Sequence, residues 1–428
     1  NPPSGLTIDG VASTLEFYQL DTAHLSVAGV AKDAAAKAVW AVNGAKAAEG
    51  ATFDFTTAHP GKYEVTLTVD GKSAKHTYTV APRFSEGAFL LNEGNFGNET
   101  GSLTYIHPSK KLVIDQAYYR VNGTKLGNVC QDLAFENDQI YIISQNGPKN
   151  GGEGLLTIAR SNSLEKVKVY NDEALAQSTP THIAVLRDHI YIRTERDGIL
   201  RGSSEGGFTP ITGTKKALKQ RMAQIGERIF ALTKDNKILM IQGTQVVREL
   251  DLSPAKPSGI AVSHDGKLWV STTSPNAILK VDPTPDNFVA LDTHILDKSI
   301  SATGPESWQR TTSSAFFAHG DKLYFTGQSS VIYCHDFATS KTSQVIDVKT
   351  IDGVGTSANM YYNSLGVDPA TGELYYAAFE GYSTYNKKNV TIVLKADGTK
   401  LLLKEKVNSF PAGFYFIPNA ASHTGANR

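Results

Sequence analysis

A repeated stretch, which reads DLAFENDQIYIISQ at residues 132–145, dominates this chain. An apolar run, a polar turn and a second apolar run around an aromatic residue predict two strands joined by a tight turn. The second run occurs seven times, with its aromatic residue at Phe89, Tyr141, Tyr191, Phe230, Trp269, Tyr324 and Tyr375. Subtraction gives intervals of 52, 50, 39, 39, 55 and 51 residues. A strand-rich repeat of roughly 40–50 residues is typical of β-propeller blades, which cover each other's faces.

Four strands can be assigned to every repeat except the first, which lacks an innermost strand. One strand, PAGFYFIP at 411–418, is left over at the C-terminal end. Lending it to the first repeat would remove the exposed sheet edges of an open ring. We therefore predict an all-β fold in which residues 83–418 form a seven-bladed β-propeller closed by strand 411–418. Residues 419–428, rich in Ala, Ser, Gly and Asn, are predicted to be a flexible tail.

The first 82 residues follow a different pattern. Tyr63, Val65, Leu67 and Val69 alternate with polar residues after a Pro-Gly pair, which predicts a strand with one buried face. Trp40 is the predicted core aromatic of a small β-sandwich. The segments WAVNG at 40–44 and PGKYEVTL at 60–67 resemble those of PKD-type immunoglobulin-like domains. The resemblance implies a spacer or adhesion module over residues 1–82.

The charge balance and the motif content of the sequence argue against several classes of protein. The 42 basic and 42 acidic side chains balance, which argues against a nucleic-acid-binding protein. The eleven histidines show no zinc-type spacing, and no Gly-x-Ser-x-Gly elbow occurs. We therefore predict no catalytic residue, no metal site, no cofactor and no enzymatic activity. No apolar run approaches the ~20 residues that span a bilayer. The start at Asn1, with two prolines following, leads us to expect that an export segment has been removed.

The long Gly- and Asn-rich loops between the predicted strands carry the candidate ligand-binding residues. Aromatic side chains supply contact area at low entropic cost, and charged donors fix a ligand's orientation. Packing between blades is the alternative role for such aromatics. The candidates are Phe96, Tyr118, Tyr119, Arg120, Lys149, Arg196, Trp308, Arg310, Tyr361, Tyr362, Tyr382 and Tyr385.

The region from Phe84 to Pro418 resembles the YncE-like, YVTN-type surface propellers of gut Bacteroidetes. The likeness lies in NEGNFG at 92–97, GSL at 101–103, VCQD at 129–132 and QIYI at 139–142. Relatives in that family are surface lipoproteins that capture vitamin B12 above a TonB-dependent outer-membrane transporter. The resemblance therefore implies an exported protein at the cell surface or in the periplasm. A lipid anchor would be its sole attachment to the membrane, and a corrinoid would bind to its loops.

Three functions remain open at this point. The first is non-enzymatic capture of a nutrient ligand, with a corrinoid as the candidate, for outer-membrane uptake. The second is adhesion or scaffolding, in which the propeller face binds a protein or a glycan. The third is a propeller enzyme of lactonase or hydrolase type, which is disfavoured because no ring of metal-ligating side chains can be assigned.

Overall fold

The computed structural model describes residues 5–12, 16–301 and 314–418. The chain forms two compact units. The first comprises residues 1–85 together with 120–122 and 162–165, and the second comprises the remainder of the chain.

The first unit contains eight strands and one single-turn helix within its described residues. They are β1 (Thr7–Asp9), β2 (Phe17–Tyr18), β3 (Thr22–Ala28), α1 (Lys32–Ala35), β4 (Val39–Val42), β5 (Ala45–Glu49), β6 (Thr52–Thr56), β7 (Gly61–Val69) and β8 (Lys72–Ala81). One sheet has the order β1-β3-β6 and the other the order β2-β8-β7-β4-β5. All neighbours pair antiparallel except β2 and β8, which are parallel.

The core of this unit follows the alternation in the sequence. Val65, Leu67 and Val69 on β7 are buried together with Trp40 on β4. The indole nitrogen of Trp40 donates a hydrogen bond of 2.9 Å to the carbonyl of Gly50, so its polar atom is satisfied inside the core. Asp70 and Gly71 both have positive φ, as a two-residue turn between twisted antiparallel strands requires.

The second unit contains seven four-stranded antiparallel sheets within its described residues. Within each sheet, every strand pairs with the strands named next to it. Sheet 1 is β36 (Pro411–Phe416), β9 (Ala88–Asn92), β10 (Ser102–His107) and β11 (Leu112–Ile114). Sheet 2 is β12 (Asn128–Glu136), β13 (Gln139–Gly147), β14 (Leu156–Arg160) and β15 (Lys166–Tyr170). Sheet 3 is β16 (Pro180–Leu186), β17 (His189–Thr194), β18 (Ile199–Ser203) and β19 (Gly206–Pro210).

The other four sheets follow in chain order. Sheet 4 is β20 (Ala223–Ile225), β21 (Arg228–Leu232), β22 (Lys237–Gln242) and β23 (Gln245–Asp251). Sheet 5 is β24 (Pro257–Val262), β25 (Leu268–Thr273), β26 (Asn276–Asp282) and β27 (Val289–Ile295). Sheet 6 is β28 (Phe316–His319), β29 (Lys322–Phe325), β30 (Val331–Asp336) and β31 (Lys341–Asp347). Sheet 7 is β32 (Leu365–Val367), β33 (Leu374–Phe379), β34 (Asn389–Leu394) and β35 (Lys400–Glu405).

Short helices occupy several of the connections. They are α2 (Ala117–Asn122), α3 (Glu173–Ser178) and five 3₁₀ turns in the described residues, at Pro108–Lys110, Lys149–Gly151, Pro285–Asn287, Val348–Thr350 and Gly355–Ala358. The sequence places Tyr118, Tyr119 and Arg120 on a loop, but all three belong to α2. Gly123 ends this helix with φ near +69°, and six residues are too few to show a helical period.

The seven aligned aromatic residues all lie on the second strand of their sheets, and all are buried. From sheet 2 to sheet 7, consecutive sheets share apolar clusters, so the second strands of sheets 3 to 6 are covered on both faces. Sheet 7 and sheet 1 also share a cluster, which includes Tyr375 and Phe414. Fourth strands are the exposed ones, as along β27. The fourth strand is therefore the least buried strand of its sheet.

Sheet 1 combines two distant parts of the chain. Strand β36 pairs antiparallel with β9, with Phe414 opposite Leu90 and Tyr415 opposite Phe89. The residues of sheet 1 other than β36 all precede residue 115. The C-terminal strand thus supplies the position that the first repeat lacks in sequence.

Candidate functional site

The first strands of all seven sheets line one cavity of about 160 Å³. Each of these strands contributes at least one wall residue. Examples are Leu133, Ile183, Gln224, Ile260, Phe317, Val367 and Phe414. Four of the strands carry a register shift near their N-terminal ends, at Gln131, Thr181, Ser258 and Ala412. A bulge bends its strand locally and redirects the adjacent side chains, so these four strands change direction at one end of the cavity.

A buried carboxylate, Asp132, lies among the otherwise mostly apolar walls. Its Oδ1 accepts a 2.5 Å hydrogen bond from the Tyr415 hydroxyl, and its Oδ2 accepts one of 2.9 Å from the Ile183 amide. The guanidinium of Arg221 lies 3.8 Å from Oδ1 and 4.0 Å from the ring centre of Tyr415. Burial raises the pKa of Asp132 to about 6, although Arg221 and the hydrogen bonds oppose the shift. This carboxylate is held by the fold through both of its oxygens.

A second carboxylate, Glu93, follows directly after β9 and remains partly exposed. Its Oε1 accepts a 2.8 Å hydrogen bond from the side-chain amide of Gln131. Surrounding protein atoms raise the pKa of Glu93 to about 7, while nearby Lys219 and the bond from Gln131 act in the opposite direction. Partial exposure combined with strong desolvation is what a carboxylate in a concave surface experiences.

Lys219 belongs to a second charged group beside Glu93. Burial lowers the pKa of Lys219, and the negative charges of Glu93 and Glu195 partly offset that effect. Arg193, which is fully buried on β17, donates to Thr181, to the carbonyl of Ala217 and to Glu195, at 3.0–3.1 Å. The cations and carboxylates of this region are therefore close to balance.

Five aromatic residues form what we call the ring cluster, next to Glu93. They are Tyr362, Phe379, Tyr382, Tyr385 and Phe410. Ring centres within the cluster are 4.6–6.4 Å apart, which is the range of favourable aromatic contacts. The hydroxyl of Tyr362 donates to that of Tyr382 at 3.0 Å. The backbone amide of Glu93 donates to the carbonyl of Phe410 at 2.8 Å, so carboxylate and rings are neighbours.

A neighbouring loop is fastened to the ring cluster through Glu99. The two oxygens of Glu99 accept hydrogen bonds from the hydroxyls of Tyr385 and, at 3.0 Å, Ser409. On the same loop, the ring of Phe96 lies 3.5 Å from the ammonium of Lys149. We call the surface made by loops 93–101, 148–155, 348–364, 380–388 and 406–410 the loop face. Its exposed rings are Phe96 and Tyr382, whose exposed fractions are 59% and 62%.

Residues 86–418 match a protein family described as "Domain of unknown function (DUF5074)". The match covers more than three quarters of the 428 residues. The chain belongs to the DUF5074 family. Among curated protein sequences, no match is found.

Solved structures resemble most of the chain at low sequence identity. A quinonprotein alcohol dehydrogenase-like protein from Bacteroides thetaiotaomicron is 15% identical with a TM-score of 0.61, and the match covers 96% of this chain and 98% of that one. A protein from Lactobacillus plantarum is 12% identical with a TM-score of 0.52, covering 78% of this chain and 99% of that one. Identities this low show the fold alone, so the DUF5074 segment has an all-β, propeller-like fold.

Five of the twelve residues predicted from the sequence come together on the loop face of the DUF5074 segment. They are Phe96, Lys149, Tyr362, Tyr382 and Tyr385. Arg196 is exposed and pairs with Asp197. Tyr119 and Arg120 are exposed on α2. Trp308 and Arg310 lie outside the described residues.

The other two predicted residues are in the interior. Tyr118 is 1% exposed, and its hydroxyl donates to Glu153 at 3.3 Å. Tyr361 is 5% exposed and stacks on Tyr376 with ring centres 4.7 Å apart. Packing accounts for both rings, because neither presents a face to solvent.

Sequence reasoning did not select Glu93, Lys219, Asp132, Arg193 or Arg221. Three of these residues could have been selected from the sequence. A charged residue within or directly after an apolar strand is rarely buried unless it is paired with another group. Asp132 and Arg193 lie inside apolar strands, and Glu93 follows AFLLN. Lys219 and Arg221 lie in the connection before β20, where the sequence has no period to read.

The described residues contain neither a cluster of metal-ligating side chains nor a membrane-spanning helix. Within residues 5–12, 16–301 and 314–418, no group of three His, Cys, Asp or Glu side chains is arranged to hold a metal ion. Over the same residues, no helix is long and apolar enough to cross a membrane.

Proposed function

We propose that this protein is a non-enzymatic binding protein that captures a ligand on its loop face. The observation that carries the proposal is the exposed ring of Tyr382, which lies in the ring cluster beside the partly exposed residue Glu93. An apolar platform next to a few polar groups is the usual composition of a ligand site. Binding to loops that are already fastened, as Glu99 fastens loop 93–101, costs little ordering entropy.

We propose, further, that the seven sheets are the blades of a seven-bladed propeller. The support is the cavity, to which all seven first strands contribute, together with the cluster shared by sheets 7 and 1. The two-sheet N-terminal unit, with Trp40 in its core, is proposed to be a PKD-type immunoglobulin-like domain over residues 1–82. It would act as a spacer.

The resemblance to YncE-like propellers suggests the setting and the first ligand to test. We propose an exported, lipid-anchored protein that presents a corrinoid to a TonB-dependent transporter. A corrinoid is large, partly flat and bordered by amide groups, and the loop face offers rings together with a carboxylate. We favour binding over catalysis because Asp132, the most buried carboxylate near the cavity, uses both oxygens in hydrogen bonds to the fold.

Calorimetric titration of the full chain with cyanocobalamin tests this proposal. We expect one-to-one binding that Tyr382→Ala weakens at least tenfold, because the most exposed ring of the cluster is lost. Ile295→Ala, on the exposed fourth strand β27, is the matched control and should bind as the wild type does.

No heat and no shift of the visible bands would reject the corrinoid. Retention on a glycan or matrix-protein array that Tyr382→Ala abolishes would then favour adhesion by the same surface. Cobalamin binding that is equally strong in Tyr382→Ala would place the ligand elsewhere on the protein.

A further inference from the structure

The two carboxylate oxygens of Glu93 differ in their hydrogen bonding within the described residues. Oε1 accepts the hydrogen bond from Gln131, whereas Oε2 has no hydrogen-bond partner among the described residues. Glu93 is partly exposed, and Oε2 is the carboxylate oxygen left for a ligand of the loop face to contact. An ionised carboxylate oxygen is an acceptor only and therefore selects a donor.

The surroundings of Glu93 favour a nitrogen donor. The rings of Tyr362 and Phe410 lie beside it, and the faces of aromatic rings attract cations and polarised N–H groups. Among the described residues, the charged and titratable groups around it are Lys219 on the connection before β20, Cys130 on β12 and Tyr362 on the loop before β32. Arg193 and Glu195 lie beyond Lys219 and largely offset each other.

We infer that the ligand of the loop face presents an N–H donor, either a protonated amine or a primary amide, to Oε2 of Glu93. This inference rests on the proposed binding function and adds the chemical class of the group that is recognised. An amine would gain charge attraction to the carboxylate and the ring faces. An amide would gain the hydrogen bond alone, so the two sources of N–H can be separated experimentally.

Three small probes with one ring system test the inference on the full chain. They are tryptamine, which is cationic, indole-3-propionamide, which is neutral, and indole-3-propionate, which is anionic. The ring N–H is common to all three and cancels in the comparison, so the probes differ only in the side-chain group. We call the first two, whose side chains end in an N–H donor, the N–H probes. Molecules of this size bind weakly, and saturation-transfer NMR at millimolar probe concentration detects such weak binding. We expect at least one of the two N–H probes to bind the wild type clearly better than indole-3-propionate does, and the better of them identifies the source of the N–H group.

Glu93→Gln is the decisive variant because it replaces Oε2 by an NH₂ group and keeps the size of the side chain. Gln131 donates at Oε1, so it keeps the amide oxygen of the substituted side chain on its own side. The amide NH₂ then replaces Oε2, and an acceptor becomes a donor. We expect the N–H probes to bind at least tenfold more weakly and indole-3-propionate to bind more tightly. A purely structural role of Glu93 would not invert this preference.

The pH dependence of probe affinity distinguishes a ligand with an amine from a ligand with an amide. The pKa of Glu93 is about 7, so its ionised fraction rises between pH 6 and pH 8. Tryptamine affinity should increase about tenfold over this interval, as expected for one carboxyl that must lose its proton. Amide affinity should change less, because a protonated carboxyl still offers an acceptor oxygen.

Each remaining outcome overturns the inference or the function, and the two can be told apart. Preference of the wild type for indole-3-propionate would overturn the inference and assign recognition to Lys219. Equal binding by wild type and Glu93→Gln, with loss in Tyr382→Ala, would overturn the inference while the loop face keeps its binding role. Absence of binding for all three probes would overturn the inference, and the cobalamin titration would decide the proposed function independently.

Discussion

The hydroxyl of Tyr415 donates a 2.5 Å hydrogen bond to Oδ1 of Asp132, across 283 residues of sequence. It joins β36 of sheet 1 to β12 of sheet 2. Both residues are buried, and Arg221 packs over the ring of Tyr415. The contact fixes the C-terminal strand against the sheet that follows it around the cavity.

Tyr415→Phe should therefore destabilise the fold without changing its shape. Asp132 would keep the amide of Ile183 but lose its shortest hydrogen bond inside the protein, at a cost of about 1–3 kcal/mol. Urea unfolding measures this loss. Tyr119→Phe, which removes an exposed hydroxyl on α2, is the control and should be neutral. Equal stability of the two variants would contradict the structural role of the contact.

Removal of β36 should have a far larger effect. A chain that ends at residue 409 leaves the whole length of β9 without its partner and opens the cluster between sheets 7 and 1. We expect insoluble or non-cooperatively melting protein, because an exposed strand edge pairs with other chains. A chain that ends at residue 418 is the control. Cooperative melting of the shorter chain at the temperature of the control would refute this prediction.

Glu99→Ala should loosen the loop face locally. The variant removes the acceptor for Tyr385 and Ser409, which fasten loop 93–101 to the ring cluster. Hydrogen exchange of amides 94–101 should become faster by an order of magnitude or more, because local opening loses about 1–3 kcal/mol of charge-assisted bonding. Glu405→Ala, at an exposed position of β35, serves as the control. Unchanged exchange would show that other contacts hold the loop.

Glu93→Gln should flatten the dependence of stability on pH. The pKa of Glu93 is about 7 in the folded protein and about 4.5 in the unfolded chain, so the folded state binds more protons between these values. The free energy of unfolding of the wild type therefore falls as pH rises from 4.5 to 7. The variant, which mimics the protonated carboxyl, lacks this fall.

We expect the variant to gain on the order of 1 kcal/mol over the wild type between pH 5 and pH 8, since one pKa unit corresponds to about 1.4 kcal/mol and solvent access reduces the effect. Chemical denaturation at a series of pH values measures the difference. Parallel curves for the two proteins would mean that Glu93 has an ordinary pKa.

The strands were readable from the sequence because their signal is local. Tyr141 and Trp269 sit within apolar runs bounded by turns, and both are buried on second strands. The depth of a loop residue is different, because it depends on what packs over it. Tyr361 and Tyr362 are neighbours in sequence, yet one stacks beneath the surface and the other joins the ring cluster. A loop without a period gives no way to distinguish them.

The charged residues of the site were missed for a related reason. Glu93 and Lys219 are 126 residues apart, and their electrostatic influence on each other arises only when their sheets are assembled. Gln131, which donates a hydrogen bond to Glu93, lies at the bulge in β12, and the sequence gives no sign of this bulge. Ligand sites built from several sheets are therefore harder to predict than the sheets themselves.

The pairing of β36 with β9 also determines when sheet 1 can be completed during protein synthesis. A ribosome makes β9 more than three hundred residues before it makes β36, so one edge of sheet 1 waits unpaired through nearly the whole synthesis of the second unit. Every intermediate length exposes this edge to chaperones and to other nascent chains. The edge of β9 can therefore be paired only after β36 has been synthesised.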